Sequence, residues 1–131
     1  MGDGIGRVVV VDDDEDWRDL VVQFLEESGY EAVGFADGRE ALAVLRRRDG
    51  RPTCVLLDLE MPAMTGWEFR REQLADPRLA PIPVVVASAA DPGTIEADAY
   101  LAKPYGPADL RRALDGLGGR ARPTRVDRPA A

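Results

Sequence analysis

The stretch VVVVDDDEDW, residues 8–17, sets four β-branched apolar residues directly against five consecutive acidic ones. The valine run lacks the polar alternation of a half-exposed strand, so it reads as one buried on both faces. The acidic run is harder to place. Carboxylates at this density repel one another and resist ionising together unless a cation sits among them. Asp14, Glu15 and Asp16 fit the capped, dipole-favoured start of a helix. Asp12 and Asp13, at the strand's end, are left needing a partner.

Working outward, further apolar runs lie at Cys54 to Leu57 and Val84 to Ala87, with weaker ones at Glu31 to Phe35 and Tyr100 to Ala102. Helical patterns fall between them. Trp17, Leu20, Val21, Phe24 and Leu25 follow helical spacing up to a stop at Ser28-Gly29. Asp37 and Glu40 stand at capping-box spacing before Leu42 and Leu45. A third helix is predicted over Gly66 to Leu74, and a last one over Pro107 to Leu117 with Pro in its first turn. Strands alternating with helices predict an α/β fold, a parallel sheet covered on both faces.

The chain has 131 residues, 45% of them hydrophobic, enough for one domain with one core. Four Arg and one Asp in 119–131 leave a net charge of −10 on the residues before them, against −7 for the whole. That body is a poor nucleic-acid binder, so no direct nucleic-acid partner is expected. The division expected is a domain over 1–118 and a disordered Arg- and Pro-containing tail over 119–131. The lone Cys54 sits in an apolar run, as a buried thiol in a reducing compartment would. With no signal-peptide pattern and no apolar run near the roughly 20 residues of a membrane span, a cytoplasmic protein without membrane contact is expected. Histidine is absent, which excludes a phosphohistidine of its own, and of 17 basic residues only Lys103 is not Arg.

Ligands of parallel sheets collect at the carboxyl ends of the strands, where strand order reverses. There the sequence places Asp12 and Asp13, then Asp58, Ser88 and Lys103. Three converging carboxylates suit a hard divalent cation such as Mg2+. With the metal and Lys103 present, the cleft can accept a dianionic phosphoryl group, Ser88 donating to one of its oxygens. Asp58 is then the natural nucleophile, forming an acyl phosphate. A compact ammonium suits so tight a site better than a guanidinium fork, and Pro104 biases Lys103 toward an extended conformation. Trp17 and Trp67 read as core or helix-face anchors.

In order along the chain, VVVVDDDEDWRDL, CVLLDLEMPAMTGWEF, IPVVVASAA and YLAKPY resemble the receiver domains of bacterial two-component response regulators, over roughly Gly6 to Leu117. The resemblance implies a doubly wound, flavodoxin-like (βα)5 sheet of five parallel strands. It also implies Asp58 as phosphoacceptor, Asp12 and Asp13 as the Mg2+-binding pair, Glu60 as a backbone-carbonyl ligand, Ser88 and Tyr100 as the switch pair, and Lys103 as the phosphate contact. The loop MPAMTG would lead into the third helix, shaped by Pro62 and Gly66. A histidine kinase or phosphotransfer protein would donate the phosphoryl group, and an unidentified downstream protein would sense it. The chain would be a signalling phosphoacceptor rather than an enzyme, either a stand-alone, chemotaxis-regulator-like receiver or one excised from a longer protein.

Two departures from the family pattern stand out. Ser88 and Lys103 are only 15 positions apart, about two helical turns fewer than the family's usual fourth helix requires, so that helix is expected to be shortened or missing, with at most one turn over Thr94 to Ala99. The stretch Ala89 to Ala99 is then expected to be mobile or irregular, and the chain a monomer or a dimer through an unusual face. Arg70 and Gln73 replace apolar residues of the third helix and are expected to loosen that face. Two other readings compete. A haloacid-dehalogenase-type phosphatase shares the spacing in DLEM but places its nucleophile after the first strand, and a receiver-shaped binding module that is never phosphorylated would not need all five polar residues.

Overall fold

Strands β1 (Arg7–Val11), β2 (Glu31–Phe35), β3 (Cys54–Asp58), β4 (Val84–Ser88) and β5 (Ala99–Ala102) form one parallel sheet in the order β2-β1-β3-β4-β5. The computed structural model describes residues 6–47, 52–89, 93 and 95–118. Among the described residues, α1 (Glu15–Glu27), α2 (Gly38–Arg47) and α3 (Gly66–Ala75) connect successive strands, and α4 (Pro107–Gly118) follows β5. No helix among the described residues is long and apolar enough to cross a membrane. The tail expected over 119–131 lies outside the described residues.

The continuous apolar runs are explained by burial on both faces. Val9, Val11, Val55, Leu57, Val84 and Val86 point to one core with Leu42 and Leu45 of α2 and Phe69 of α3. Val8, Val10, Cys54, Leu56, Val85 and Ala87 point to the other, with Val21 and Leu25 of α1 and Leu110 and Leu114 of α4. Leu20, counted in the apolar stripe of the first helix, is 39% exposed on its outer flank. Helix starts follow local chemistry. Asp14 accepts the Trp17 N–H to cap α1, and the reciprocal Thr65–Glu68 capping box opens α3. At α2, Asp37 accepts the Arg39 N–H, two residues on, where the capping-box spacing had pointed to Glu40.

Between β4 and β5 no helix occurs among the described residues, so the expected shortening is complete there. Thr94 and residues 90–92 lie outside the described residues, and with them part of the expected mobile segment. Ile95 and Ala97 nonetheless enter the core beside β4, covering a face that a helix would otherwise cover. Asp98 closes this segment onto the sheet: its carboxylate accepts the Val84 N–H at 2.6 Å and its own N–H donates to the Val84 carbonyl at 2.8 Å.

The expectation that Arg70 and Gln73 loosen α3 is overturned. Gln73 is fully buried, and its Nε2 donates to the carbonyls of Leu79 (2.9 Å) and Ile82 (3.0 Å), pinning the turn that enters β4. Arg70 donates from Nη1 to Gln73 Oε1 (2.7 Å) and from Nε to the Glu96 carbonyl (2.9 Å), tying α3 to the segment that enters β5. The polar pair therefore replaces apolar packing with directed bonds. Gln73→Leu keeps the volume but removes one of two donors at Leu79 and the amide donor at Ile82, and it should cost about 2 kcal/mol in denaturant unfolding.

Candidate functional site

Strand order reverses at β1, which lies between β2 and β3, so the crevice opens at the carboxyl ends of β1 and β3. Asp12 follows β1 and Asp58 ends β3. Both are buried, while Asp13 is exposed, and carboxylate oxygens of all three lie within 4.8 Å of one another. Lys103, just past β5, reaches into this cluster. Its Nζ lies 2.8 Å from Asp12 Oδ2 and 3.3 Å from Asp58 Oδ1. The Lys103 N–H donates to the Ser88 carbonyl at 2.9 Å, which seats the buried Ser88 beside it at the end of β4.

The loop after Asp58 is fixed by a close approach of main chains. A Cβ at Gly66 would lie 2.7 Å from both the Asp58 carbonyl oxygen and Leu59 Cα, and the Gly66 N–H donates to the Leu59 carbonyl at 2.9 Å. Only glycine lets α3 start this near the site. Glu60 is exposed, and a backbone hydrogen bond from it meets the Asp58 carboxylate. Tyr100 is half-buried against the core beside β4, and its hydroxyl donates to the Ile95 carbonyl.

Burial first, and the Asp12 charge second, raise the Asp58 carboxyl from 3.8 to about 6, although Lys103 pulls it down. Burial alone would lower the Lys103 ammonium, but its bond to Asp12 and the charges of Asp12 and Asp58 outweigh that and raise it. Because the folded value for Asp58 exceeds the unfolded one, its contribution to stability is full below 3.8 and lost as pH rises through about 6. In a chelator, the melting-temperature advantage of Asp58→Asn over the wild type should therefore grow across that window. Parallel thermal melts of the two proteins against pH check it.

Two aromatic residues stand at the site: Tyr105, which the sequence reading missed, and Trp17, which it read as a core or helix-face anchor. Tyr105 is buried, and burial and the charges of Asp12 and Asp58 raise its phenol. Trp17 meets it edge-on, with ring centroids 5.0 Å apart at 85°. Tyr105 belongs to the core on the α1 and α4 side of the sheet, and Trp17 packs against it. The signal available was an aromatic residue two positions past Lys103, on the far side of Pro104.

Residues 8–115 match the family model of the response regulator receiver domain. The chain belongs to that family. It is 33% identical over 138 residues to the alkaline phosphatase synthesis transcriptional regulatory protein SphR of Synechococcus elongatus, covering 95% of this chain and 53% of that protein. The chain spans about half the length of the curated relatives it matches. Among solved structures, the chemotaxis protein CheY4 of Vibrio cholerae superposes with a TM-score of 0.77 at 30% identity, covering 86% of this chain and 98% of that one. The response regulator TrrA of Thermotoga maritima, solved in complex with Mg2+-BeF, gives 0.73 at 27% identity, covering 86% and 99%. This receiver thus has the flavodoxin-like fold and belongs with the phosphoacceptor domains of two-component signalling.

Proposed function

We propose that this receiver accepts a phosphoryl group on Asp58 from the phosphohistidine of a histidine kinase or phosphotransfer protein and, once phosphorylated, changes its affinity for a downstream protein. The observation that carries the reading is the contact of one ammonium, Lys103 Nζ, with two of three carboxylates gathered at the switch point. Three oxygen donors with one carboxylate open to water fit Mg2+, which takes few carboxylates and keeps several waters. Asp12, Asp13 and Asp58 would hold it, with the Glu60 carbonyl as a further ligand, and when bound it neutralises charge on the phosphoryl oxygens.

A carboxylate oxygen of Asp58 attacks phosphorus, the P–N bond of the donor breaks, and the leaving imidazole nitrogen keeps the electron pair. Lys103 shifts its ammonium toward the new phosphoryl oxygens, and Ser88 donates its hydroxyl to one of them. Tyr100 then follows Ser88, as the second member of the switch. The domain doing this covers 1–118, works in the cytoplasm as a monomer or through an unusual dimer face, and turns over no substrate besides its own phosphoryl group. Its acidic body directs it to protein partners rather than nucleic acid.

The test is incubation with a small phosphodonor and Mg2+, followed by intact mass. The expected result is a single phosphoryl adduct that chelator prevents and that both acid and base hydrolyse, as an acyl phosphate requires. A haloacid-dehalogenase-type phosphatase would instead turn over phosphomonoesters, and a binding module that is never phosphorylated would gain no mass.

A further inference from the structure

Asp12 is held at four points. Its N–H donates to the Phe35 carbonyl at 3.0 Å, its Oδ1 accepts the Asp14 N–H at 2.9 Å, its Oδ2 accepts from Lys103 at 2.8 Å, and its carbonyl accepts from Arg18 Nη1 at 2.8 Å. The first bond joins strands, the second belongs to the turn, and the third engages an oxygen facing the acidic cluster. The Arg18 bond differs from these. A charged side chain, half-buried on α1, acts there on the main chain of Asp12 and leaves both carboxylate oxygens to others.

The strand beneath has been cleared for it. A Cβ at Gly34 would lie 2.9 Å from Arg18 Cδ, 3.0 Å from Cγ and 3.3 Å from Nε. Gly34 pairs with Val10 inside β2, one residue before its end, where glycine weakens a strand and marks a close approach. A guanidinium stays charged at every working pH, and its bond to a carbonyl is stronger than a neutral one. It therefore sets positive charge behind the acidic residues 12–16 without using up a ligand oxygen.

We infer that Arg18 is a positioning residue for phosphoryl acceptance, bracing the Asp12 main chain so that its carboxylate stays aligned with those of Asp13 and Asp58, and that Gly34 is the clearance this brace requires. The inference rests on the Mg2+-dependent phosphoacceptor reading of the site. It concerns residues that touch neither phosphorus nor metal.

The experiment is calorimetric Mg2+ titration of the wild type, Arg18→Gln, Arg18→Lys, Gly34→Ala and the Arg18→Gln/Gly34→Ala double variant, with thermal melts and hydrogen exchange at the Asp14 amide in chelator. Arg18→Gln should weaken Mg2+ binding about tenfold, the low end for residues that orient a ligand, because the bond goes to main chain. Gly34→Ala keeps every charge but pushes Arg18 aside, so it should weaken binding in the same direction. The double variant should be no worse than Arg18→Gln alone, since both act through one contact. Arg18→Lys, with one donor on a shorter reach, should recover part of the loss. Exchange at Asp14 should quicken in Arg18→Gln without metal.

A lower melting temperature with unchanged Mg2+ affinity would make Arg18 merely structural and overturn the inference. Tighter Mg2+ binding in Arg18→Gln, with Gly34→Ala at the wild-type value, would make it a charge effect and overturn it equally. A wild type that binds no Mg2+ would bring down the phosphoacceptor reading and this inference together, whereas normal wild-type binding beside an unaltered Arg18→Gln sinks the inference alone.

Discussion

Asp58→Asn should take up no phosphoryl group from a small phosphodonor with Mg2+, where the wild type takes up one. An amide lacks the anionic oxygen proposed to attack phosphorus, and neither the Asp12 carboxylate nor the Cys54 thiol is free to substitute. Both oxygens of Asp12 are engaged, one by the Asp14 N–H and one by Lys103. Asp13 is exposed. The Cys54 thiol is fully buried, and burial, helped by the Asp98 charge, pushes it up to about 12, so it offers no thiolate to compete. The same variant should be the more stable protein without metal, because the raised Asp58 carboxyl marks a charge that the fold disfavours. Intact mass reads the first effect and thermal melting in chelator the second. An adduct on Asp58→Asn would move the nucleophile elsewhere in the cluster, and a variant no more stable than the wild type would mean that Asp58 is not strained by its neighbours.

The parts of this fold that could be read from sequence are those where one residue's role follows from its immediate neighbours. Val8 to Val11 and Val84 to Ala87 announce strands covered on both sides, and both are. Asp12, Asp58, Ser88 and Lys103 each sit at a strand end, and a parallel sheet brings strand ends together whatever the loops do. That no helix stands between β4 and β5 among the described residues was readable as a chain-length deficit between Ser88 and Lys103. Gln73 was misread because its polarity is visible in sequence but its partners are not: the carbonyls it binds lie six and nine residues on, in a turn whose path only the fold defines. Arg18 was passed over for the same reason. An arginine on the first turns of an amphipathic helix looks like a solvated residue, and neither its reach back to the Asp12 carbonyl nor the space left by Gly34 on another strand has a periodic signature. Local chemistry is written in order along the chain, whereas side-chain bonds to distant main chain are not.

Lys103 is where these two kinds of information meet, and replacing it separates charge from shape. In Lys103→Met the buried Asp12 and Asp58 face each other with no cation between them. Removing one partner of a buried ion pair costs about 3–5 kcal/mol. Here the loss should be nearer 2 kcal/mol, because Lys103 keeps 19% of its side chain in water and Asp58 can escape by holding its proton. The sign of the pH dependence follows. Without Lys103 the Asp58 carboxyl rises further above 3.8, so the variant regains stability as pH falls and loses it as pH rises through the new value. Excess Mg2+ should restore much of the stability at neutral pH by supplying the missing charge. It should not restore phosphoryl uptake, since the metal cannot also take the place of the ammonium beside the incoming oxygens. Lys103→Arg divides the two roles in another way: a guanidinium neutralises the carboxylates and should keep most of the stability, but its planar fork cannot occupy a point 2.8 Å from Asp12 and 3.3 Å from Asp58 as one rotatable ammonium does. Uptake in that variant should fall well below wild type while unfolding changes little. Denaturant unfolding with and without Mg2+, beside adduct formation by intact mass, measures both. If Lys103→Arg accepts phosphoryl groups at the wild-type rate, the single lysine in a chain that otherwise uses arginine is an accident of composition, and the site needs only its charge.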